Sequence, residues 1–265
     1  MIDELPDVLR TIVNSTRQRV ARALAADGAG ETVRLPAPTS APNPFVAALR
    51  AEAGRAVIAE VKMGSPKLGS LARRVDPERQ AELYAREGAA ALSVVVEPDH
   101  FFGSYELLER CRRASGLPAI AKDFVVEPRQ IDWAYQAGAS AVLLIAALLD
   151  AEGLRARADQ ARRLGMAPLV ELHGREDLAK LGRGGEWELV GVNNRDLRTF
   201  AVDLGHSIAL LADLPAGALK VAESGIASGA DVERLAAEGF DAFLVGESLL
   251  LAADPAAKLR ELRGR

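Results

Sequence analysis

Short apolar runs alternate with charged segments of helical period along the chain from Ala56 onward. The runs are rich in Val, Ile, Leu and Ala, and their lengths are those of buried β-strands. The spacing between runs accommodates one strand, one helix of about three turns and two short loops, so the pattern predicts a parallel sheet. The eight predicted strands are VIAEV (57–61), ALSVVV (91–96), AIAK (119–122), AVLLIA (141–146), APLVE (167–171), ELVGV (188–192), LKVAE (219–223) and AFLVG (242–246).

The ends of the intervening helices carry recurrent signals. Asp76-Pro77 and Glu127-Pro128 each offer an N-cap followed by a proline in the first turn. Gly88, Gly138 and Gly239 each follow a helical segment and precede small residues that lead into a strand, as a left-handed glycine at a helix end does. Eight similar units favour a closed (β/α)8 TIM barrel over an open doubly wound sheet.

The first 50 residues differ from this repeat. An amphipathic helix is predicted over residues 8–25, and a segment rich in Gly and Pro, DGAGETVRLPAPTSAPNP, follows it. We therefore expect one α/β barrel domain over residues 1–265, with residues 1–50 as an N-terminal helical extension and linker. A solvent-facing cap is the plainest role for such an extension.

Composition narrows the classes of partner. With 49% hydrophobic residues and no apolar stretch near the roughly 20 residues that cross a bilayer, no membrane association is expected. The N-terminal sequence lacks the layout of a secretory signal, so the cytoplasm is expected. A net charge of -4 without a broad basic face argues against nucleic acid and for a small-molecule partner. The single cysteine, Cys111, is expected to pack in a helix, and the absence of apolar heptads favours a monomer.

Polar residues gather where the predicted strands end. In TIM barrels the chemistry lies at the carboxyl ends of the strands, so these side chains should meet at the mouth. Glu60 and Lys62 lie two residues apart and share a face, where they form either a structural ion pair or part of a reactive site. The strand ends provide Glu60, Lys62, Lys122, Glu171, Asn193, Glu223 and Ser224.

Two glycine-bearing loops suggest a phosphate site. ESGIASGADV follows the seventh predicted strand and GESLLLAADP the eighth, which is where TIM barrels commonly bind phosphate through backbone N–H groups. The candidates are Gly225, Gly246 and the N–H of Glu247, with the Ser65 hydroxyl approaching from the opposite side. Alternatively, the glycines and Ser65-Pro66 only turn the chain.

The chain resembles the indole-3-glycerol phosphate synthase family. The matching stretches are IAEVK with the following SP, FFGSYELL, KDFVVEPRQI, AVLLIAALL, LVELH, GVNNRDLRTFAVDL, ESGI and FLVGESLL, which span about residues 43–262. The resemblance implies a carboxy-lyase of tryptophan biosynthesis that closes 1-(o-carboxyphenylamino)-1-deoxyribulose 5-phosphate to a pyrrole ring, releasing CO2 and water. It implies no metal and no organic cofactor.

The resemblance also implies roles for individual residues. Lys122 is the general acid that protonates the ribulose carbonyl oxygen, Glu171 acts in the later dehydration, and Lys62 holds the anthranilate carboxylate. An ammonium beside a developing oxyanion can stabilise its charge and then deliver a proton. Further residues that orient or bind substrate, or support those that do, are Glu60, Asn193, Ser224, Ser65, Phe101, Arg195 and Glu223.

The sequence departs from the family pattern in two places. After EVK the family commonly has a basic residue, alanine and SPSKG, whereas this chain reads Met63-Gly64-Ser65-Pro66-Lys67-Leu68-Gly69. Phe102 likewise replaces a more usual polar residue. Two alternatives to the family activity follow: a paralogue acting on a related phosphorylated substrate, and a non-catalytic barrel that only binds phosphate compounds.

Overall fold

Eight parallel strands close into a barrel in the computed structural model, which describes residues 6–26, 35–36, 41–66, 69–72, 75–182 and 187–265. Each strand pairs with its neighbours in chain order, and the first pairs with the last, so the barrel has no free edge. The strands are β1 (Ala56–Val61), β2 (Ala91–Val95), β3 (Ala119–Lys122), β4 (Ala141–Ile145), β5 (Ala167–Leu172), β6 (Leu189–Asn193), β7 (Leu219–Glu223) and β8 (Ala242–Val245).

Helices alternate with these strands, and a short antiparallel hairpin, Gly64–Ser65 with Gly69–Ser70, follows β1. A 3-10 turn, Ala146–Leu148, follows β4. The helices are α1 (Asp7–Ala26), α2 (Pro44–Ala51), α3 (Pro77–Arg86), α4 (Pro98–Phe101), α5 (Tyr105–Ser115), α6 (Pro128–Gln136), α7 (Ala151–Arg163), α8 (Arg175–Leu181), α9 (Leu204–Leu211), α10 (Gly229–Glu238), α11 (Glu247–Leu251) and α12 (Pro255–Leu262).

The predicted (β/α)8 barrel is confirmed, and its local signals act as expected. The Asp76 side chain accepts a hydrogen bond from the N–H of Arg79 at the start of α3, and Glu127 forms a capping box with Gln130 at the start of α6. Gly88, Gly138 and Gly239 have φ angles of +85°, +81° and +115°, a region that L side chains rarely adopt. These glycines therefore end their helices at little steric cost.

The predicted N-terminal helix is present as α1, whose buried residues include Leu9 and Val13. A second helix, α2, lies within the segment that we expected to be linker, and it buries Phe45 and Leu49 completely against the barrel. Its N-cap, Asn43, bonds to backbone carbonyls just before β4 and β5, so α2 lies at the amino-terminal end of the strands. The barrel mouth, where the candidate site residues were predicted, lies at the opposite end.

Cys111 packs in α5 without exposure, and burial raises the pKa of its thiol to about 12, so the thiolate does not form near neutrality. Within the part of the chain that the structure describes, none of the helices has the length and apolar character needed to span a membrane.

Candidate active site

A cavity of about 550 Å³ opens at the carboxyl ends of the barrel strands, within the size range of small-molecule sites. Apart from Ser65, every candidate site residue predicted from the sequence lines it. Those that do are Glu60, Lys62, Phe101, Lys122, Glu171, Asn193, Arg195, Glu223, Ser224, Gly225, Gly246 and Glu247. Residues that are far apart in sequence meet here because each follows or ends a parallel strand.

Lys122, the last residue of β3, points its ammonium between two carboxylates. Its Nζ lies 3.5 Å from Glu171 Oε2 and 3.4 Å from Glu223 Oε2. Both glutamate side chains are almost fully buried, whereas the Lys122 side chain keeps 22% of its surface exposed. The ammonium therefore lies between two buried carboxyl groups and keeps a face that is open to the cavity.

Glu171 is held from its other side by two neighbours. Asn193 Nδ2 donates to Glu171 Oε1 over 3.1 Å, and His173 Nε2 lies 3.1 Å from the same oxygen. The Asn193 side chain is itself fixed, because its Oδ1 accepts the N–H of Arg195. His173, two residues further along the chain, thus supports Glu171.

The pKa values of Lys122, Glu171 and Glu223 depend on one another. Burial acts to lower the pKa of the Lys122 amine, but Glu171, Glu223 and Glu60 outweigh it and hold this pKa above its usual value. Burial would raise the pKa of the Glu171 carboxyl, yet Lys122, His173 and Asn193 together lower it. Burial and the charge of Glu171 raise the pKa of Glu223 to about 8. The Lys122 ammonium is thus favoured, and the two glutamates are shifted in opposite directions: Glu171 towards its ionised form and Glu223 towards its protonated form.

Glu60 and Lys62 form a second ion pair on the mouth, at the end of β1. The Lys62 Nζ lies 3.0 Å from Glu60 Oε1. Burial would raise the pKa of the Glu60 carboxyl, but Lys62 and Lys122 reverse the effect and lower it. The sequence placed these residues on one face, and the structure places both on the cavity wall.

Two glycines make room for the buried carboxylates. A Cβ built on Gly191 in β6 would lie 2.2 Å from Glu223 Oε1, and one built on Gly246 would lie 2.3 Å from Glu60 Oε1. Such distances are far below van der Waals contact, so a larger residue at either position would displace a glutamate. No pattern in the sequence predicts this function of Gly191.

One end of the cavity is formed by the loops after β7 and β8. Ser224 and Gly225 have φ angles of +63° and +81°, so the chain turns sharply as it leaves β7. Asn194 holds this turn by donating its side-chain amide to the carbonyls of Glu223 and Ser224. Gly246 immediately precedes α11. The backbone of both loops therefore faces the same part of the cavity.

The opposite part of the wall is apolar. Phe101 and Phe124 pack with ring centroids 5.8 Å apart, and Leu143 and Ile145 of β4 line the cavity as well. Since an aromatic ring gains from transfer out of water onto such a surface, this wall suits an aryl group.

Comparisons of the sequence with known proteins point to one family. The model of the family described as indole-3-glycerol phosphate synthase matches residues 9–262. A protein of that name from Koribacter versatilis is 42% identical over 262 residues, covering 98% of this chain and 100% of the relative. Another of the same name, from Chromobacterium violaceum, is 43% identical and covers 97% of this chain and 98% of its own.

The chain belongs to the indole-3-glycerol phosphate synthase family. Solved structures agree on the fold alone. A 3-hexulose-6-phosphate synthase from Salmonella typhimurium has a TM-score of 0.62 at 15% identity, covering 79% of this chain and 97% of its own. A tryptophan synthase a2b2 complex from Pyrococcus furiosus contains a chain with a TM-score of 0.59 at 16% identity, covering 81% and 99%.

This member of the indole-3-glycerol phosphate synthase family differs from our expectation at Ser65. Ser65 lies on the hairpin that follows β1, where it pairs with Gly69, and it is not part of the cavity wall. The hairpin turns the chain back beyond the end of β1, which a strand-end pattern does not predict. Lys67 and Leu68, two of the departures from the family pattern, lie outside the described residues.

The other departures, Met63, Gly64 and Phe102, lie near one another beside the hairpin. Met63 is buried, and the Phe102 ring packs so closely over Gly64 that a Cβ there would lie 2.4 Å from the ring. Phe102 and Met63 also line one small cavity next to the hairpin. Nonpolar side chains thus stand at both positions where the family commonly has a basic or a polar residue, in the wall of one cavity.

Sequence reasoning missed several residues at the mouth. Asp123 and Phe124 line the cavity directly after Lys122, and Ser248 lines it beyond Glu247. The position of Asp123 at a strand end was the signal that could have identified it. Among the described residues, no group of three or more His, Cys, Asp or Glu side chains could hold a metal ion.

Proposed function

We propose that the protein converts 1-(o-carboxyphenylamino)-1-deoxyribulose 5-phosphate into indole-3-glycerol phosphate with loss of CO2 and water. The observation that carries this proposal is the position of the Lys122 ammonium, held by Glu171 and Glu223 and open to a cavity with an apolar wall. Family membership supports the same activity. A barrel that only bound phosphate compounds would not require these proton-transfer groups.

The first step joins the aryl carbon that bears the carboxylate to the ribulose carbonyl carbon. The carbonyl oxygen gains negative charge as this bond forms, and Lys122 stabilises the charge and donates a proton to give a hydroxyl group. Lys62 holds the anthranilate carboxylate, and Glu60 keeps Lys62 in place through their 3.0 Å contact. The aryl ring lies along Phe101, Phe124, Leu143 and Ile145.

The next steps restore aromaticity and remove the hydroxyl. CO2 leaves with the electron pair returning to the ring, and the hydroxyl then departs as water after it gains a proton. Glu171 is ionised because Lys122, His173 and Asn193 lower its pKa, so it can accept the proton that is lost as the pyrrole double bond forms. Lys122 and Lys62 are the nearby ammonium groups that can donate to the leaving hydroxyl.

The phosphate is assigned to the loops after β7 and β8. Backbone N–H groups of Gly225, Gly246 and Glu247 are its proposed donors, and Ser224 orients the neighbouring substrate atoms. The Glu247 carboxylate accepts from Arg195 Nη2 over 2.9 Å, and this pair lies at the same end of the cavity. Ser65 would contribute only through movement of the hairpin, since it does not line the cavity.

We extend the proposal to the cellular setting. The protein is expected to work in the cytoplasm as a monomer of one barrel domain, residues 1–265, with residues 1–50 as its extension. The mixed charge pattern, with a net charge of -4, supports a small phosphorylated substrate and argues against nucleic acid.

A steady-state assay with this substrate tests the proposal. Indole fluorescence should appear at a rate proportional to enzyme concentration, and a chelator should not reduce it. A compound that binds without forming product would instead favour the paralogue acting on a related substrate, which the altered residues 63–69 suggest. Failure to bind would make the phosphate assignment wrong as well.

A further inference from the structure

Arg19 of α1 reaches three carboxylates beside the barrel mouth. Its Nη1 lies 3.2 Å from Glu97 Oε1 and 2.8 Å from Asp99 Oδ2, and its Nη2 lies 3.9 Å from Asp123 Oδ1. The side chains of Glu97 and Asp123 are 0% and 1% exposed. A helix of the N-terminal extension thus provides a cation to two buried acids of the barrel.

Glu97 organises the loop after β2. Its carboxylate accepts the backbone N–H groups of Asp99, His100 and Phe101, and so caps the one-turn helix α4. Phe101, at the end of this turn, lines the cavity. The position of the Phe101 ring therefore depends on the Glu97 carboxylate that Arg19 contacts.

Asp123 organises the loop after β3, immediately beyond Lys122. Its Oδ2 accepts from the Tyr105 hydroxyl over 2.7 Å and from Gln130 Nε2 over 2.8 Å, while its Oδ1 accepts the Phe124 N–H over 2.9 Å. Oδ1 is the atom that faces Arg19. Asp123 thus links the backbone of Phe124, in the apolar wall, to the side chains of Tyr105 and Gln130.

The two loops are joined in a second way, through the contact between the Phe101 and Phe124 rings. Buried carboxylates with no cation nearby would repel each other and favour loop arrangements that expose them. The planar guanidinium can contact several oxygens at once, which a lysine ammonium does less well. Other contacts bring α1 to the same place: Leu9 lines the cavity, and Ser15 Oγ lies 3.1 Å from His100 Nε2.

We propose that Arg19 is a positioning residue of the active site. By bridging Glu97 and Asp123, it holds the Phe101–Phe124 wall and the backbone beside Lys122 in the arrangement that ring closure requires. The N-terminal extension is then a functional part of the site and not only a cap. This inference rests on the proposed function for its kinetic consequences, whereas its structural consequences can be measured without substrate.

The test compares Arg19→Met and Arg19→Lys with wild type, using Arg10→Met as the matched control. Arg10 lies on the same helix and pairs with the exposed Asp7, away from the cavity wall. At a temperature well below unfolding, Arg19→Met should lower kcat/KM at least tenfold, with a higher KM and a lower kcat. Arg19→Lys should recover part of this loss, and Arg10→Met should stay within twofold of wild type.

Hydrogen exchange provides the readout that does not depend on activity. The amides of His100, Phe101 and Phe124, which donate to Glu97 and Asp123, should exchange faster in Arg19→Met and remain unchanged in Arg10→Met. Kinetic constants within twofold of wild type, or unchanged exchange at these amides, would overturn the inference. If Arg19→Met does not fold, Arg19→Gln takes its place with the same criteria. An inactive wild type would count against the proposed function, while exchange would still decide the role of Arg19.

Discussion

Lys122 is the side chain on which the proposed chemistry depends most. Replacing it with methionine keeps the approximate length of the side chain but removes the ammonium that stabilises the oxyanion. We expect Lys122→Met to lower kcat by about 10² to 10⁴ while the protein stays folded, measured by steady-state fluorescence and circular dichroism. Lys220→Met, at the opposite end of β7, is the control and should retain activity. Activity of Lys122→Met near that of wild type would remove Lys122 from the mechanism.

Glu223 should make the free energy of unfolding depend on pH. Its pKa lies at about 8 in the folded protein, above its ordinary value of 4.5, so between these pH values the folded state binds a proton that the unfolded state has lost. The contribution of this group to stability therefore decreases as pH rises through that window. Glu223→Gln cannot titrate. The free energy of unfolding of wild type minus that of Glu223→Gln should fall by at least about 1 kcal/mol between pH 5 and pH 8, measured by urea denaturation. A difference that stays constant or rises would contradict the assigned protonation.

At the scale of the element, strand β6 contributes two residues to the site. Asn193 contacts Glu171, and Gly191 leaves the space that the Glu223 carboxylate occupies. Alanine at position 191 would place its Cβ 2.2 Å from the Glu223 carboxylate and force the carboxylate away from Lys122. We expect Gly191→Ala to lower kcat/KM at least tenfold and to cost about 1 to 3 kcal/mol of stability. Gly217→Ala, whose new Cβ would meet nothing within 4 Å, is the matched control. Equal behaviour of the two variants would show that Glu223 tolerates the displacement.

Strands and helices were predictable where a short stretch of sequence carries the signal for them. Each barrel strand lies within one residue of its predicted bounds because a short apolar run between helix ends has few other structures available. Helix α2 was missed because Asn43 and Pro44, which begin it, lie in a proline-rich segment that reads as linker. The hairpin after β1 and the four-residue helix α4 are too short to show periodicity. Their effects on Ser65 and Phe101 could not be derived from the pattern.

For the molecule as a whole, the mouth was predictable as a set of strand ends but not as a set of contacts. The barrel brings Glu60, Lys122, Glu171 and Glu223 together by topology, which the sequence indicates. The bonds from Arg19 of α1 to Glu97 and from Tyr105 of α5 to Asp123 join helices to residues just beyond the ends of β2 and β3, and no repeat or motif specifies them. Side chains that act through long-range contact therefore required the structure.

One contribution to stability lies at the end of the barrel opposite the mouth. Arg263, near the end of the chain, is almost fully buried, donates to the carbonyl of Glu87 and pairs with Glu52 beyond α2. Arg263→Met should lower the free energy of unfolding by about 1.5 to 3 kcal/mol, measured by urea denaturation. Its kcat/KM at 25 °C should stay within twofold of wild type, as should that of the exposed control Arg265→Met. A parallel loss of activity would show that the two ends are coupled.

The central claim is that the cavity at the mouth performs ring closure and does not only bind. A single-turnover experiment tests it directly, with the enzyme in excess over substrate labelled with 13C in the carboxylate. We predict that each bound substrate releases one labelled CO2 and appears as indole-3-glycerol phosphate by mass spectrometry. Recovery of intact, labelled substrate from an enzyme that has bound it would contradict the account.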